Sequence, residues 1–239
     1  MFICENLRIE DSLSEPTAWD GIWKQHFWEY QTDHRHAYYI VAVKRRNERR
    51  MLEIAAGSFR DMAALNRWGF FCEGVDFSLE SVERARKMLS TYSDRIRKMD
   101  AACMVYCDGA FDLTFHNGFW GYFDDAKISV LAREQSRVTA SRMIAIVHNA
   151  HNQSFKEKFA AWGQEDSLYR IRFFYADEIA SLMRQFCRRV AVLPVGGGWV
   201  DRLIHFGLGP KAVRWAFRLY GRHQSMEARE RLMCIGEVG

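Results

Sequence analysis

One stretch limits the folds open to this chain more than any other: Met51–Asp61 (MLEIAAGSFRD), followed by Gly74–Ser78 (GVDFS). It reads as strand, tight small-residue loop, helix, strand and acidic residue. That order builds a nucleotide-type cofactor site at the edge of a parallel sheet. A helix N-terminus faces the charged part of the ligand, and a carboxylate at the next strand end takes ribose hydroxyls. The separation of Glu53 from Asp76 suits one strand–helix–strand unit.

The rest of the chain keeps the same rhythm. Strands are expected at 50–54, 71–75, near 96–99, at 111–115, 142–147, 189–195 and 231–238. Helices are expected at 60–68, from Ser78 as N-cap, at 125–139 and at 177–186. Arg142 to Val147 is almost purely apolar, as in a strand buried on both faces. Strands alternating with helices predict a Rossmann-like, doubly wound α/β sheet with helices on both faces. Residues 149–175 are too long and too aromatic for an ordinary connection and read as an insertion. The predicted organisation is an N-terminal helical lid segment at 1–46 and a main domain at 47–239, with a basic helical segment at 201–222.

With 239 residues, 49% hydrophobic and 27% charged, the chain can bury a sizeable core. No apolar run is long enough to span a bilayer. The start, MFICENLRIEDS, lacks the pattern of a secretory signal, so a cytoplasmic chain with free thiols is expected. Cys103 and Cys107 are the one close cysteine pair, and without a second pair they do not predict a metal site. A net charge of +4 does not by itself argue for nucleic acid. Lys and Arg outnumber Asp and Glu from Arg202 to Arg231. Three readings of that segment stay open: a solvated face, steering of an anionic substrate, or peripheral contact with an anionic membrane through Leu203, Phe206, Leu208, Val213, Trp215, Phe217 and Leu219. The basic cluster Lys44–Arg50 reads as a solvated helix end and turn.

Three segments taken together resemble the class I S-adenosylmethionine-dependent methyltransferases: Leu52–Phe59, Gly74–Ser78, and Asp100-Ala101 followed by Asp108–Leu113 and His116-Asn117-Gly118. The resemblance implies a sheet of about seven strands with the last antiparallel, and S-adenosylmethionine as cofactor. It implies that Glu53 and the backbone of Ala55, Ala56 and Gly57 cradle the methionine part, and that Asp76 binds the ribose. Asp100 and Ala101 would meet the adenine, with Phe77 on its face. His116, Asn117 and Gly118 would line the wall near the sulfonium. The loop departs from the family pattern: two alanines precede a single glycine, and alanine resists positive φ.

Methyl transfer from a sulfonium is an in-line displacement, so positioning does most of the work. An acceptor that must lose a proton also needs a base. His148, His151 and His116 are the candidates, set against a structural role for each. Trp23, Tyr122 and His148 are candidate substrate contacts, and the aromatic run Trp19–Trp28 is a lid or simple packing. Arg60 either pairs with the cofactor carboxylate or sits in solvent, and solvent is favoured. The function expected is methylation of an oxygen or nitrogen on a small molecule or a glycan or lipid precursor. The alternatives are an RNA or protein methyltransferase, or a non-catalytic interaction protein on the same fold.

Overall fold

The computed structural model describes residues 16–31, 33–198, 201, 209–220 and 225–239. Among them a seven-stranded sheet forms the centre, in the order β3-β2-β1-β4-β5-β7-β6. The strands are β1 (Arg50–Ile54), β2 (Phe71–Asp76), β3 (Ile96–Lys98), β4 (Phe111–Asn117), β5 (Thr139–His148), β6 (Arg189–Val195) and β7 (Arg231–Glu237). β1 to β5 run parallel, and β7 lies antiparallel between β5 and β6. The chain leaves β1 in one direction for β2 and β3 and returns to the other side for β4. The crevice above the β1 and β4 tips is therefore the switch point at which ligands bind in open α/β sheets.

The helices are α1 (Pro16–His26), α2 (Arg35–Val43), α3 (Arg60–Arg67), α4 (Leu79–Met88), α5 (Asp125–Arg137), α6 (Gln153–Glu165), α7 (Ala176–Arg184) and α8 (Pro210–Tyr220). They cover both faces, and the period of two along each strand divides the core between them. Met51, Phe115, Ile144 and Ile146 pack toward α1 to α4 and α8. Leu52, Ile54, Met143, Ala145 and Val147 pack toward α5 and α7. Ser78 caps α4 as its sequence predicts, its side chain accepting from the Ser81 N–H. The 149–175 segment holds α6 and then returns, so that Phe174 bridges back to Asn149.

Two expectations need correction. Lys44–Arg50 is not wholly solvated. Lys44 is buried with its ammonium 5.2 Å from the Phe70 ring centroid. Glu48 is fully buried and takes a bidentate pair from Arg142, both contacts at 2.6 Å. Arg142 also donates to the Val43 carbonyl, so this pair fastens the α2–β1 turn to β5. In the basic segment, Val213 and Phe217 are buried and not free to meet a membrane, and Phe217 packs on Tyr39 of α2. Trp215 is exposed, while 202–208 and 221–224 lie outside the described residues. Among the described residues no helix is long and apolar enough to cross a membrane.

Glu48→Ala leaves the Arg142 guanidinium buried without its partner. The expected loss is about 3–5 kcal/mol, measured by denaturant unfolding. A Glu48→Met, Arg142→Met double variant should lose much less, because no buried charge is then stranded.

Candidate active site

The loop after β1 does what alanine resists. Ala55, Gly57 and Phe59 all sit at left-handed φ, 50°, 54° and 56°. Two carboxylates hold it there. Asp76, at the tip of β2, accepts from Gly57 N–H at 2.8 Å and from Ser78 N–H at 2.9 Å. Glu53 accepts from Met62 N–H at 2.8 Å. That bond fills a gap in the sequence: Phe59 stands where α3 needs a capping side chain and has no oxygen to offer, so Glu53 satisfies the open amide from the neighbouring strand. Phe59 is fully buried beneath Gly74, where a Cβ would come within 2.7 Å of the Phe59 ring. The glycine of the second segment is thus a packing requirement of the first.

The N-terminal segment closes over this loop. Asp20 of α1 accepts from Ser78 Oγ at 2.6 Å and from Glu80 N–H at 3.1 Å. The Trp23 indole lies so close over Gly57 that a Cβ there would run into Cζ2 and Cη2 of the ring. Asp61, in the first turn of α3, accepts from Ala37 N–H at 2.9 Å and so caps α2. Burial raises the pKa of all three acids. Asp61 and Asp76 rise to about 6, and Glu53 is pushed well up by burial and then by the charge of Asp61.

The cleft over these groups has about 930 Å³ of empty space including its open mouth. Its walls are aromatic: the Trp19 ring meets Tyr122 edge-on with centroids 4.9 Å apart, Trp23 meets Tyr30 at 5.8 Å, and Phe159 and Tyr169 complete the lining. Of the residues singled out from sequence, Glu53, Ala55, Ala56, Gly57, Asp76, Phe77, Asn117, Gly118, His148, Trp23 and Tyr122 all line it. Asn117 Nδ2 donates to Nδ1 of His36 at 2.9 Å, while its buried Oδ1 has no partner among the described residues. His148 is buried at the end of β5, and burial, then the charges of Arg231 and His36, hold its pKa well below the ordinary histidine range.

Four singled-out residues are not among those lining the cleft. Asp100 is exposed in the turn after β3 and accepts from Ala102 N–H at 2.8 Å, with Ala101 beside it. His116 packs on Trp120 and Phe119, and burial lowers its pKa to about 3. His151 accepts from Ala176 N–H at 3.2 Å, a structural contact. Arg60, expected in solvent, instead lines the cleft, donates to the Tyr30 carbonyl at 2.9 Å and lies over the Tyr30 ring. Sequence reading also missed Asp61 and Arg231. The antiparallel register puts Arg231 opposite His148, a fact open to a reader who had aligned the last strand with the fifth.

Residues 52–147 match the methyltransferase-domain family. No curated protein matches the chain. Similar solved structures include an S-adenosylmethionine-dependent methyltransferase of Thermotoga maritima, with TM-score 0.62, 16% identity, and 92% of this chain and 96% of that chain covered. An S-adenosylmethionine-dependent methyltransferase of Archaeoglobus fulgidus superposes with TM-score 0.60 at 13% identity, covering 87% of this chain and 96% of the other. Geranyl diphosphate C-methyltransferase of Streptomyces coelicolor A3(2), in complex with geranyl diphosphate and S-adenosyl-L-homocysteine, gives TM-score 0.54 at 15% identity, covering 86% and 79%. Residues 52–147 therefore hold a methyltransferase domain, and the sheet order is the fold of the S-adenosylmethionine-dependent methyltransferases that the chain resembles.

Gly57→Ala meets both a left-handed φ and the Trp23 ring. It should lower stability by about 1–2 kcal/mol or more in thermal unfolding and release α1, seen as a red shift of tryptophan fluorescence. Ala55→Gly removes strain at φ 50° and should leave the melting temperature unchanged or higher.

Proposed function

We propose that this chain transfers the methyl of S-adenosylmethionine to an oxygen or nitrogen of a small molecule, such as a glycan or lipid precursor, held in the aromatic cleft. The observation that carries the reading is that His148 and Asn117 face the same cleft as Glu53, Gly57 and Asp76. When bound, the cofactor supplies an already activated methyl, so the side chains need only hold, orient and dry the two reactants.

The residues present suit that cofactor. Each Asp76 oxygen accepts one backbone N–H and keeps a lone pair for a ribose hydroxyl. Glu53 and the left-handed loop would hold the methionine end, Phe77 would meet the adenine, and Asn117 Oδ1 with Gly118 would border the sulfonium. Asp100 is left out of this set because its carboxylate is turned to Ala102 at the surface. Trp19 and Trp23 on α1 exclude water from the mouth, which supports the lid assignment for the N-terminal segment. His148 is a neutral imidazole at ordinary pH, able to accept a hydrogen bond from an acceptor O–H or N–H. The resemblance to a structure that contains geranyl diphosphate supports a small acceptor, and steep salt-dependent binding of tRNA would redirect the reading to RNA.

Calorimetry with S-adenosylmethionine tests the first half. Asp76→Ala should weaken binding by about 10- to 100-fold, the worth of a hydrogen bond to a charged group. The pH dependence follows from the raised Asp76 pKa of about 6, above the usual 3.8. In the uncomplexed protein, Asp76 deprotonates at a cost, so its contribution to stability falls as pH rises from about 4 to about 6. A ribose hydroxyl favours the carboxylate, so cofactor affinity should rise from pH 5 to pH 7 with proton release, and Asp76→Asn should flatten that rise. Affinity independent of pH in the native chain would remove Asp76 from the ribose. For the second half, His148→Asn should cut conversion of S-adenosylmethionine to S-adenosylhomocysteine at least tenfold while leaving cofactor affinity within twofold.

A further inference from the structure

The acceptor end of the cleft carries a cation, Arg231, with no hydrogen-bond partner for its inner nitrogen among the described residues. Arg231 begins β7, opposite His148 of β5 in the sheet register. The residue is partly exposed along its length, but its Nη1 is shut from solvent and has no hydrogen-bond partner among the described residues. Its guanidinium lies 5.5 Å from the Phe155 ring centroid and 5.8 Å from that of Phe159, so the aromatic wall of α6 holds it in place without cancelling its charge.

Apart from Glu230, the groups facing it are cationic or neutral. Arg35 and His36 face it from α2, Tyr30 and Tyr122 from the cleft wall, and His148 from β5. The neighbouring carboxylate, Glu230, is turned to Arg35 at 3.2 Å. The acids of the cleft are committed elsewhere: Asp76 to Gly57 and Ser78, Glu53 to Met62, Asp61 to Ala37. A guanidinium withdrawn from water without an anion is costly, and its planar fork suits a carboxylate or phosphate.

We infer that Arg231 binds a carboxylate or phosphate group on the acceptor, so that the substrates of this enzyme are anionic molecules whose apolar or ring-bearing body lies along the aromatic wall. The inference rests on the methyl-transfer reading above and names the substrate class for that same cleft. A second consequence follows at His148. Arg231 is one of the charges that keep its imidazole from taking a proton. An anion seated on Arg231 offsets that charge, so the substrate itself makes His148 a better base as it binds.

The test uses the full chain saturated with S-adenosylhomocysteine, titrated with phenyl phosphate and benzoate, and with benzyl alcohol and benzamide as neutral counterparts. The anions should bind at least tenfold more tightly than the neutral probes. Arg231→Met should erase that preference, Arg231→Lys should keep part of it, and both should bind S-adenosylhomocysteine within twofold of the native chain. The His148 ring proton resonance should titrate at higher pH with phenyl phosphate bound than without it. Equal binding of charged and neutral probes, or no binding of either anion, overturns the proposal. So does an Arg231→Met variant that loses S-adenosylhomocysteine affinity, because the arginine would then serve the cofactor carboxylate. If that variant does not fold, the charge preference and the His148 shift in the native chain decide. Failure of the native chain to bind S-adenosylhomocysteine is seen before any probe is added; it counts against the methyl-transfer reading and removes this proposal with it.

Discussion

Gly57 N–H donates to the Asp76 carboxylate, and that bond ties the tip of β1 to the tip of β2. The left-handed loop, the entry of α3 and the seat of Trp23 all depend on it. The same device recurs around the cleft. Glu53 caps α3, Asp61 caps α2, and Asp20 serves Ser78 Oγ and the Glu80 amide at the start of α4. In each case the acid comes from another element, so the helix starts are stitched to one another as well as satisfied. Burying those carboxylates is expensive, as the raised pKa values of Glu53, Asp61 and Asp76 record. The stability of the loop and the readiness of the site to receive a ligand are therefore set by the same side chains.

The alternating pattern of the sequence placed the strands and most helices, because period-two and period-3.6 burial is written in local spacing, but not α6, which falls in the stretch read only as an insertion. The antiparallel β7 came from family resemblance, and the register confirms it. Side-chain parity at a strand tip was not legible. His116 and Asn117 are adjacent at the end of β4, and only Asn117 lines the cleft, while His116 packs on Trp120 behind it. A shift of one residue exchanges the two faces, and the sequence offers polar side chains at both positions. Glu48 was illegible for a different reason. A charged turn looks solvated until the chain brings Arg142, far away in sequence, to meet it. Ala55 shows that a local preference yields when tertiary bonds hold the loop: the doubt raised by two alanines was sound about the strain and silent about Asp76.

The order of the strands gives the cleft an electrical direction. Asp76 and Glu53 stand on β2 and β1, Asn117 and Gly118 on β4 and at its end, His148 on β5 and Arg231 on β7. At about 4.8 Å per strand, the acids and the arginine are separated by roughly 15–19 Å across the sheet. On the proposed reading, a sulfonium-bearing donor is drawn to the acidic side and an anionic acceptor to the basic side. They then meet over β4, where the free Oδ1 of Asn117 and the bare backbone of Gly118 leave room for approach. Aromatic walls lower the local dielectric and lengthen the reach of both ends. On that reading, a sheet with acids on β1 and β2, an arginine on β7 and small or neutral groups between them orients two reactants before any base acts. That ordering is what a displacement reaction, limited by alignment more than by activation, requires of its protein.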